Sequence, residues 1–202
     1  MKKELLFTFS ALIATTSCNI KKTDSEQIAG KKPMNIIYIM SDDHSYQTIS
    51  AYDKRFIQTP NIDRLANEGV RFTNSFVANS ISGPSRACIL TGKHSHANGF
   101  TDNSSTFDGS QQTYPKLLQK AGYETAIIGK WHLTSAPTGF DYSEILIGQG
   151  IYYNAPFIKN GKQVPSKGYV TNVITEKAID WMENIHAVSY THLRAHETEL
   201  HL

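Results

Sequence analysis

The sequence predicts an α/β fold in which a mixed, mainly parallel sheet is flanked by helices. Short apolar runs without polar alternation, such as residues 35–40 and 124–128, are typical of strands that are buried on both faces. These runs alternate along the chain with segments that carry helix start and stop signals. The chain has 202 residues, of which 40% are hydrophobic, so it is long enough to form one globular domain.

The first part of the chain provides two strands and a helix in this scheme. The apolar run 35–40 is the first strand, and we expect it to be buried and parallel to its neighbours. A helix over 60–68 follows, opened by Pro60 and closed by Gly69. Residues 70–77 place apolar side chains on one side of an extended segment, which predicts a second strand.

The same alternation continues in the second part of the chain. A helix is predicted over 84–91, and another begins at Pro115 and ends at Gly122. It leads into the strand 124–128, after which residues 134–169 are rich in Gly, Pro and Tyr and predict loops or short strands. The last predicted helix has an apolar face formed by Val170, Val173, Ile174, Ala178, Trp181 and Met182.

The N-terminus has the pattern of an export signal. Within residues 1–18, two lysines precede the apolar run 5–14, and Cys18 follows directly after small residues. This order predicts a lipoprotein signal that is cleaved before Cys18, with a lipid attached to that cysteine; a plainly secreted form is the alternative. The polar residues 19–32 would then be a flexible linker. With Cys18 lipidated, Cys88 has no partner, so no disulfide is predicted.

These features also limit the location and partners of the protein. We expect an exported protein, periplasmic or anchored to the outer membrane of a Gram-negative bacterium, that contacts the membrane only through its lipid. The formal net charge of +2 and the lack of a basic cluster argue against nucleic-acid binding.

The segment 82–92 carries the strongest chemical signal in the chain. Ser82 precedes a proline that fits the first turn of a helix, so its hydroxyl would lie at a helix N-terminus, where backbone N–H groups favour an anion. Arg86 lies one turn further along on the same face and adds a fixed positive charge. This arrangement suits a nucleophile that acts on a phosphate-like or sulfate-like group; an ordinary helix cap is the alternative.

Two further groups of polar residues directly follow predicted strands. Asp42 and Asp43 follow the strand 35–40, and adjacent carboxylates are typical ligands of calcium or magnesium, although a solvated turn would also use them. Lys130 and His132 follow the strand 124–128 and alternate along an extended segment, so both side chains can point to one side. Such a pair can bind an anion and protonate a leaving oxygen, or be an ordinary surface pair.

Together the three motifs resemble the type I sulfatases, formylglycine-dependent enzymes of the alkaline phosphatase superfamily. The resemblance implies an alkaline phosphatase-like fold and conversion of Ser82 to formylglycine by a maturase. It also implies Ca²⁺ bound by Asp42, Asp43 and the residue at 82. Arg86, Lys130 and His132 would complete the catalytic site.

Within that family, residues 79–88, 92–96 and 98–103 resemble bacterial N-acetylglucosamine-6-O-sulfatases. The expected reaction is hydrolysis of a sulfate ester on a sugar, such as 6-O-sulfo-N-acetylglucosamine of mucin or glycosaminoglycan. The expected partners are therefore a sulfated glycan and the formylglycine-generating maturase. The alternatives are a phosphatase or phosphonate hydrolase of the same superfamily, with unmodified Ser82 and zinc, or else a catalytically silent binding module or an inactive fragment.

The resemblance also predicts how the chain is divided. Residues 33–186 would be the N-terminal part of a sulfatase catalytic domain, truncated because members of the family are more than twice this length, and inactive alone. Residues 187–202 resemble no part of a sulfatase and look like translated sequencing adapter, so we interpret them as a non-native tail.

Overall fold

The computed structural model describes residues 34–184, which form five helices and four strands in addition to a short 3₁₀ turn at Tyr46–Thr48. The helices are α1 (Pro60–Glu68), α2 (Ser82–Thr91), α3 (Ser95–Asn98), α4 (Tyr114–Lys120) and α5 (Val170–Asn184). The strands are β1 (Ala126–Gly129), β2 (Tyr142–Leu146), β3 (Phe157–Lys159) and β4 (Lys162–Val164).

The four strands form one mixed sheet in the order β1-β2-β3-β4. Strands β1 and β2 run parallel, with Ile128 opposite Glu144, and the other two pairings are antiparallel. The β3–β4 connection is Asn160-Gly161, and both residues have positive φ angles, as a two-residue hairpin turn of this kind requires. The expected mixed sheet with flanking helices is therefore confirmed.

The sheet lies between two apolar clusters, because successive side chains of a strand point to opposite faces. Ile128 of β1 and Leu146 of β2 belong to the cluster that includes α5. Their neighbours Ile127 and Ile145 belong to the cluster that includes α2. Helices α2 and α5 therefore pack on opposite faces of the sheet, and this fixes α2 beside the carboxyl end of β1.

The predicted helices are confirmed with small changes at their ends. Helix α1 has the predicted bounds, α2 begins two residues earlier, at Ser82, and α4 ends at Lys120. The apolar face predicted for α5 is buried, apart from the half-buried Met182. The strand predicted at 124–128 lies at Ala126–Gly129.

Two of the predicted strands are wrong. Residues 35–40 and 70–77 form neither helix nor strand, and many of their apolar side chains are exposed, including Ile37 (51%) and Phe76 (92%). An apolar pattern indicates that a segment could form a buried strand, but a strand also needs a hydrogen-bonded neighbour. Within residues 34–184, no segment forms a ladder with either run.

Several predictions concern residues outside the described part of the chain. The export signal at 1–18, the linker at 19–32 and the non-native tail at 187–202 belong to this group and stay predictions. Among residues 34–184, no helix is long and apolar enough to cross a bilayer.

Replacing Phe157 by alanine should strongly destabilise the fold. The ring is fully buried in the cluster beneath α5, so its removal leaves a cavity that costs about 3–5 kcal/mol of unfolding free energy. Chemical denaturation followed by circular dichroism measures the loss. Phe76→Ala is the matched control, because this ring is 92% exposed and its removal should change stability little. Equal losses in both variants would contradict the described core.

Candidate active site

Ser82 is the first residue of α2, and the sequence explains why the helix begins and ends where it does. Pro84 lies in the first turn, where its missing N–H costs no hydrogen bond. Gly92 ends the helix in a left-handed conformation, with φ of 65°, and its N–H donates to the Cys88 carbonyl at 2.8 Å. Cys88 itself is buried and forms no disulfide within residues 34–184.

The carboxylate of Asp42 is the centre of the site. It is only 7% exposed, and Ser82 Oγ lies 3.4 and 3.3 Å from its two oxygens. Lys130 Nζ forms an ion pair with Asp42 Oδ2, and Arg86 Nη2 lies 3.7 Å from the same oxygen. The structure thus brings together four of the residues that the sequence predicted for the site, from three segments far apart in the chain.

Arg86 is buried on the same face of α2 as Ser82, as the four-residue spacing predicted. Its Nη1 donates to the Ser82 carbonyl oxygen at 2.8 Å. This bond holds the guanidinium against the first turn, so the positive charge has a fixed position beside the Ser82 hydroxyl. Arg86 therefore both braces the helix start and supplies charge to the site.

Lys130 and His132 lie just beyond the end of β1, but not along an extended segment as predicted. The chain leaves the strand at Gly129 (φ 114°), and His132 has a left-handed φ of 51°. Between the two, Trp131 is buried in the α2-side cluster and donates from Nε1 to the Ser135 carbonyl at 2.6 Å. The backbone therefore turns at these residues, and strand alternation is not what brings Lys130 and His132 to the site.

The charges around the site change the pKa values of Asp42 and His132. At Asp42 the nearby cations oppose the effect of burial, whereas at His132 they add to it. Burial alone would raise the pKa of Asp42, but the hydrogen bond from Lys130 and the charges of Arg86 and Lys130 lower it below the usual value. Burial lowers the pKa of His132, and the charges of Lys130 and Arg86 lower it further, against a smaller opposing effect of Asp42. Asp42 is therefore ionised and His132 neutral at pH 7.

Asp43 does not join the buried cluster, contrary to the expectation that both carboxylates share the site. Its side chain is exposed, and its φ of 49° is left-handed. This backbone conformation turns the chain between the buried Asp42 and the segment that follows. The alternative reading, a solvated turn, describes Asp43 in this structure.

The oxygen atoms at the site suit calcium in kind but not in number. Calcium prefers about six to eight oxygen ligands, and Asp42 and Ser82 place carboxylate and hydroxyl oxygens side by side. Asp42 is also paired with Lys130, and no group of three or more acidic, histidine or cysteine side chains converges within residues 34–184. These residues therefore fit one part of a calcium coordination shell.

Two asparagines next to Ser82 were not predicted as site residues. The Ile81 N–H donates to Asn79 Oδ1 at 2.9 Å, and the Gly83 N–H donates to Asn103 Oδ1 at 3.1 Å. Both asparagines lie in segments that carry the sulfatase resemblance, but the residue pattern does not indicate what they contact. Their role depends on contacts that only the folded chain reveals.

Comparison with known proteins identifies relatives of the whole described region. The sulfatase family model matches residues 34–193. An N-acetylglucosamine-6-O-sulfatase of Bacteroides thetaiotaomicron is 56% identical over 183 residues, which cover 89% of this chain and 32% of that protein. The chain therefore spans about a third of the length of this curated relative.

Solved structures support the same relationship. One, a complex with its substrate D-glucosamine-2-N,6-O-disulfate, is 56% identical with a TM-score of 0.78, over 83% of this chain and 34% of that one. Another, a complex with a neocarrahexaose, is 28% identical with a TM-score of 0.75, over 83% and 45% of the two chains. These neighbours confirm the expected alkaline phosphatase-like fold. By family match, identity and structure, this chain belongs to the sulfatase family.

Proposed function

We propose that this chain carries the nucleophile and sulfate-binding part of a sulfuric ester hydrolase that removes sulfate from sulfated sugars. The observation that carries the proposal is the convergence of Ser82, Arg86 and Lys130 on the buried carboxylate of Asp42. The 56% identity to an N-acetylglucosamine-6-O-sulfatase supports a 6-O-sulfated N-acetylglucosamine as the substrate class. Glycan degradation is the corresponding biological role.

Sulfate binding follows from the charges of the site. One carboxylate and two cations, Asp42 with Arg86 and Lys130, leave an excess of one positive charge in a mostly buried environment. An anion gains more from such charges there than at a solvated surface. The guanidinium of Arg86 has planar donors that match the oxygens of a sulfate, and its bond to the Ser82 carbonyl holds it in place.

The proposed nucleophile is the residue at 82, which would attack a sulfur atom bound by these cations. A serine hydroxyl is a weak nucleophile near neutral pH. We therefore propose that a maturase oxidises Ser82 to formylglycine and that Ca²⁺ binds beside it. Formylglycine would supply a hydrated aldehyde as the nucleophile, and Ca²⁺ on Asp42 would neutralise charge on the sulfate. Asp43 stays a candidate calcium ligand although its side chain is exposed, and further ligands would come from outside the described residues.

His132 is the proposed proton-handling group. Its pKa is lowered, so the imidazole is neutral at pH 7 and has one nitrogen that accepts a proton and one that donates. Its Nδ1 is buried and has no hydrogen-bond partner among residues 34–184. An open hydrogen-bonding position of this kind suits an oxygen atom of the substrate or of the nucleophile.

The modification state of residue 82 separates this function from its nearest alternative. The protein is expressed from its complete open reading frame together with an oxygen-independent maturase. The mass of the peptide that contains residue 82 is then measured by mass spectrometry, and sulfate release from 6-O-sulfated N-acetylglucosamine is assayed. We expect a peptide lighter by two hydrogens and release of sulfate, and Ser82→Ala should abolish both.

Ser80→Ala is the matched control, because this exposed serine lies in the same peptide and its loss should leave modification and activity unchanged. An unmodified serine together with release of phosphate from the corresponding 6-phosphate would contradict the sulfatase proposal. That result would support the phosphatase alternative with zinc.

Stability should fall on mild acidification because of His132. Its pKa is lowered in the folded state, so the unfolded chain binds the proton more readily and unfolding becomes easier below about pH 6.5. Urea unfolding measured between about pH 7.5 and 5.5 should show this loss, and His132→Gln should remove part of it. Identical pH dependence in the two proteins would show that His132 does not titrate with a lowered pKa.

A further inference from the structure

The backbone on either side of Ser82 is held by two asparagine side chains from different segments. Asn79 Oδ1 accepts the N–H of Ile81 at 2.9 Å, and Asn103 Oδ1 accepts the N–H of Gly83 at 3.1 Å. The residue that would act as nucleophile therefore lies between two fixed peptide groups.

The second of these bonds replaces a missing local helix cap. The first N–H groups of a helix have no intrahelical partner, and a polar side chain at the N-cap usually accepts one. Here the N-cap residue is Ile81, which has no such atom, and Pro84 has no N–H to donate. Asn103 supplies the acceptor from twenty residues away, so the start of α2 depends on a tertiary contact.

Gly83 allows this contact because it has no side chain. A Cβ at this position would lie 2.7 Å from Asn103 Oδ1, 2.8 Å from the Phe100 ring and 3.0 Å from the His132 carbonyl oxygen. Real Cβ atoms essentially never come within 3.0 Å of other atoms, so the contacts with Asn103 and Phe100 exclude a side chain here. The loop that carries Asn103 and the backbone of His132 therefore both press against the residue that follows Ser82.

Asn79 is in turn anchored to a buried polar group between α2 and α3. Its Nδ2 donates to Ser95 Oγ at 2.8 Å. Ser95 Oγ lies 3.4 Å from Cys88 Sγ, and Asn98 Nδ2 lies 3.7 Å from the same sulfur. Ser95, Asn98 and Cys88 are all buried. The hydrogen bond to Ser95 therefore fixes the Asn79 side chain to the packed region between α2 and α3, and not to its own loop alone.

We propose that Asn79 and Asn103 are positioning residues for the nucleophile at residue 82. The inference rests on the proposed function, because positioning matters only if residue 82 reacts. The two side chains would act through the peptide groups of Ile81 and Gly83, and thereby keep the side chain at 82 aligned with Asp42 and Arg86. A displacement of about 1 Å at a reacting atom can cost about a hundredfold in rate.

The test compares turnover with substrate affinity in the protein expressed from its complete open reading frame with the maturase. Asn103→Ala and Asn79→Ala should each lower kcat by about tenfold to a hundredfold, with KM almost unchanged, per formylglycine-containing molecule. Asn103→Asp keeps an acceptor oxygen, so it should retain more of kcat than Asn103→Ala, although its charge should raise KM for an anionic substrate.

Asn160→Gly is the matched control. Asn160 Oδ1 accepts the N–H of Ser143 at 2.8 Å in the β3–β4 hairpin, so this variant removes the same kind of bond away from Ser82. Glycine suits the positive φ of that position, and kcat should not change. A fall in kcat equal to that of Asn103→Ala would show a general loss of stability and overturn the proposal.

The remaining outcomes separate this inference from the proposed function. If Asn103→Ala raises KM and leaves kcat unchanged, Asn103 binds the substrate and does not position residue 82. If the parent protein without substitutions carries formylglycine at residue 82 and releases no sulfate, the proposed function fails, and amide hydrogen exchange decides the structural claim. Exchange at Gly83 should then be at least tenfold faster in Asn103→Ala, and unchanged exchange would overturn it.

Discussion

The site depends on one buried carboxylate, that of Asp42. It contacts both the start of α2, through Ser82 and Arg86, and the chain beyond β1, through Lys130. A carboxylate that is mostly removed from water must be paired, and two cations and a hydroxyl meet this need. The same pairing gathers the groups that we propose for sulfate ester hydrolysis, so the stability of the site and its proposed chemistry have one origin.

The rest of the fold brings these segments within reach of each other. Helix α5 packs on one face of the sheet, and the cluster around α2 packs on the other. Lys130, which directly follows β1, therefore lies close to the start of α2. The first turn of α2 is then held from outside the helix, by Asn103 at Gly83 and by Asn79 at Ile81. Rigid elements thus support a site whose reactive groups lie at their ends, which is the usual arrangement in α/β proteins.

The sequence predicted which polar side chains converge better than it predicted the strands of the sheet, for a physical reason. Ser82, Arg86, Lys130 and Asp42 belong to short motifs whose chemistry and order are visible in the residues themselves. Strands at 35–40 and 70–77 were not found, because pairing depends on distant segments that a local apolar pattern does not specify. The role of Asn103 could not be predicted at all, since it arises from a contact with Gly83 twenty residues away.

Asp42 is stabilised by its cationic partners, and a double-mutant cycle measures this coupling most directly. Unfolding free energies are measured for Asp42→Asn, Lys130→Met and the double variant. Asp42→Asn leaves Lys130 buried without its carboxylate, so this variant should be less stable than the double variant, in which both charges are absent. If the losses of the two single variants simply add in the double variant, the two side chains are not coupled and the account is wrong.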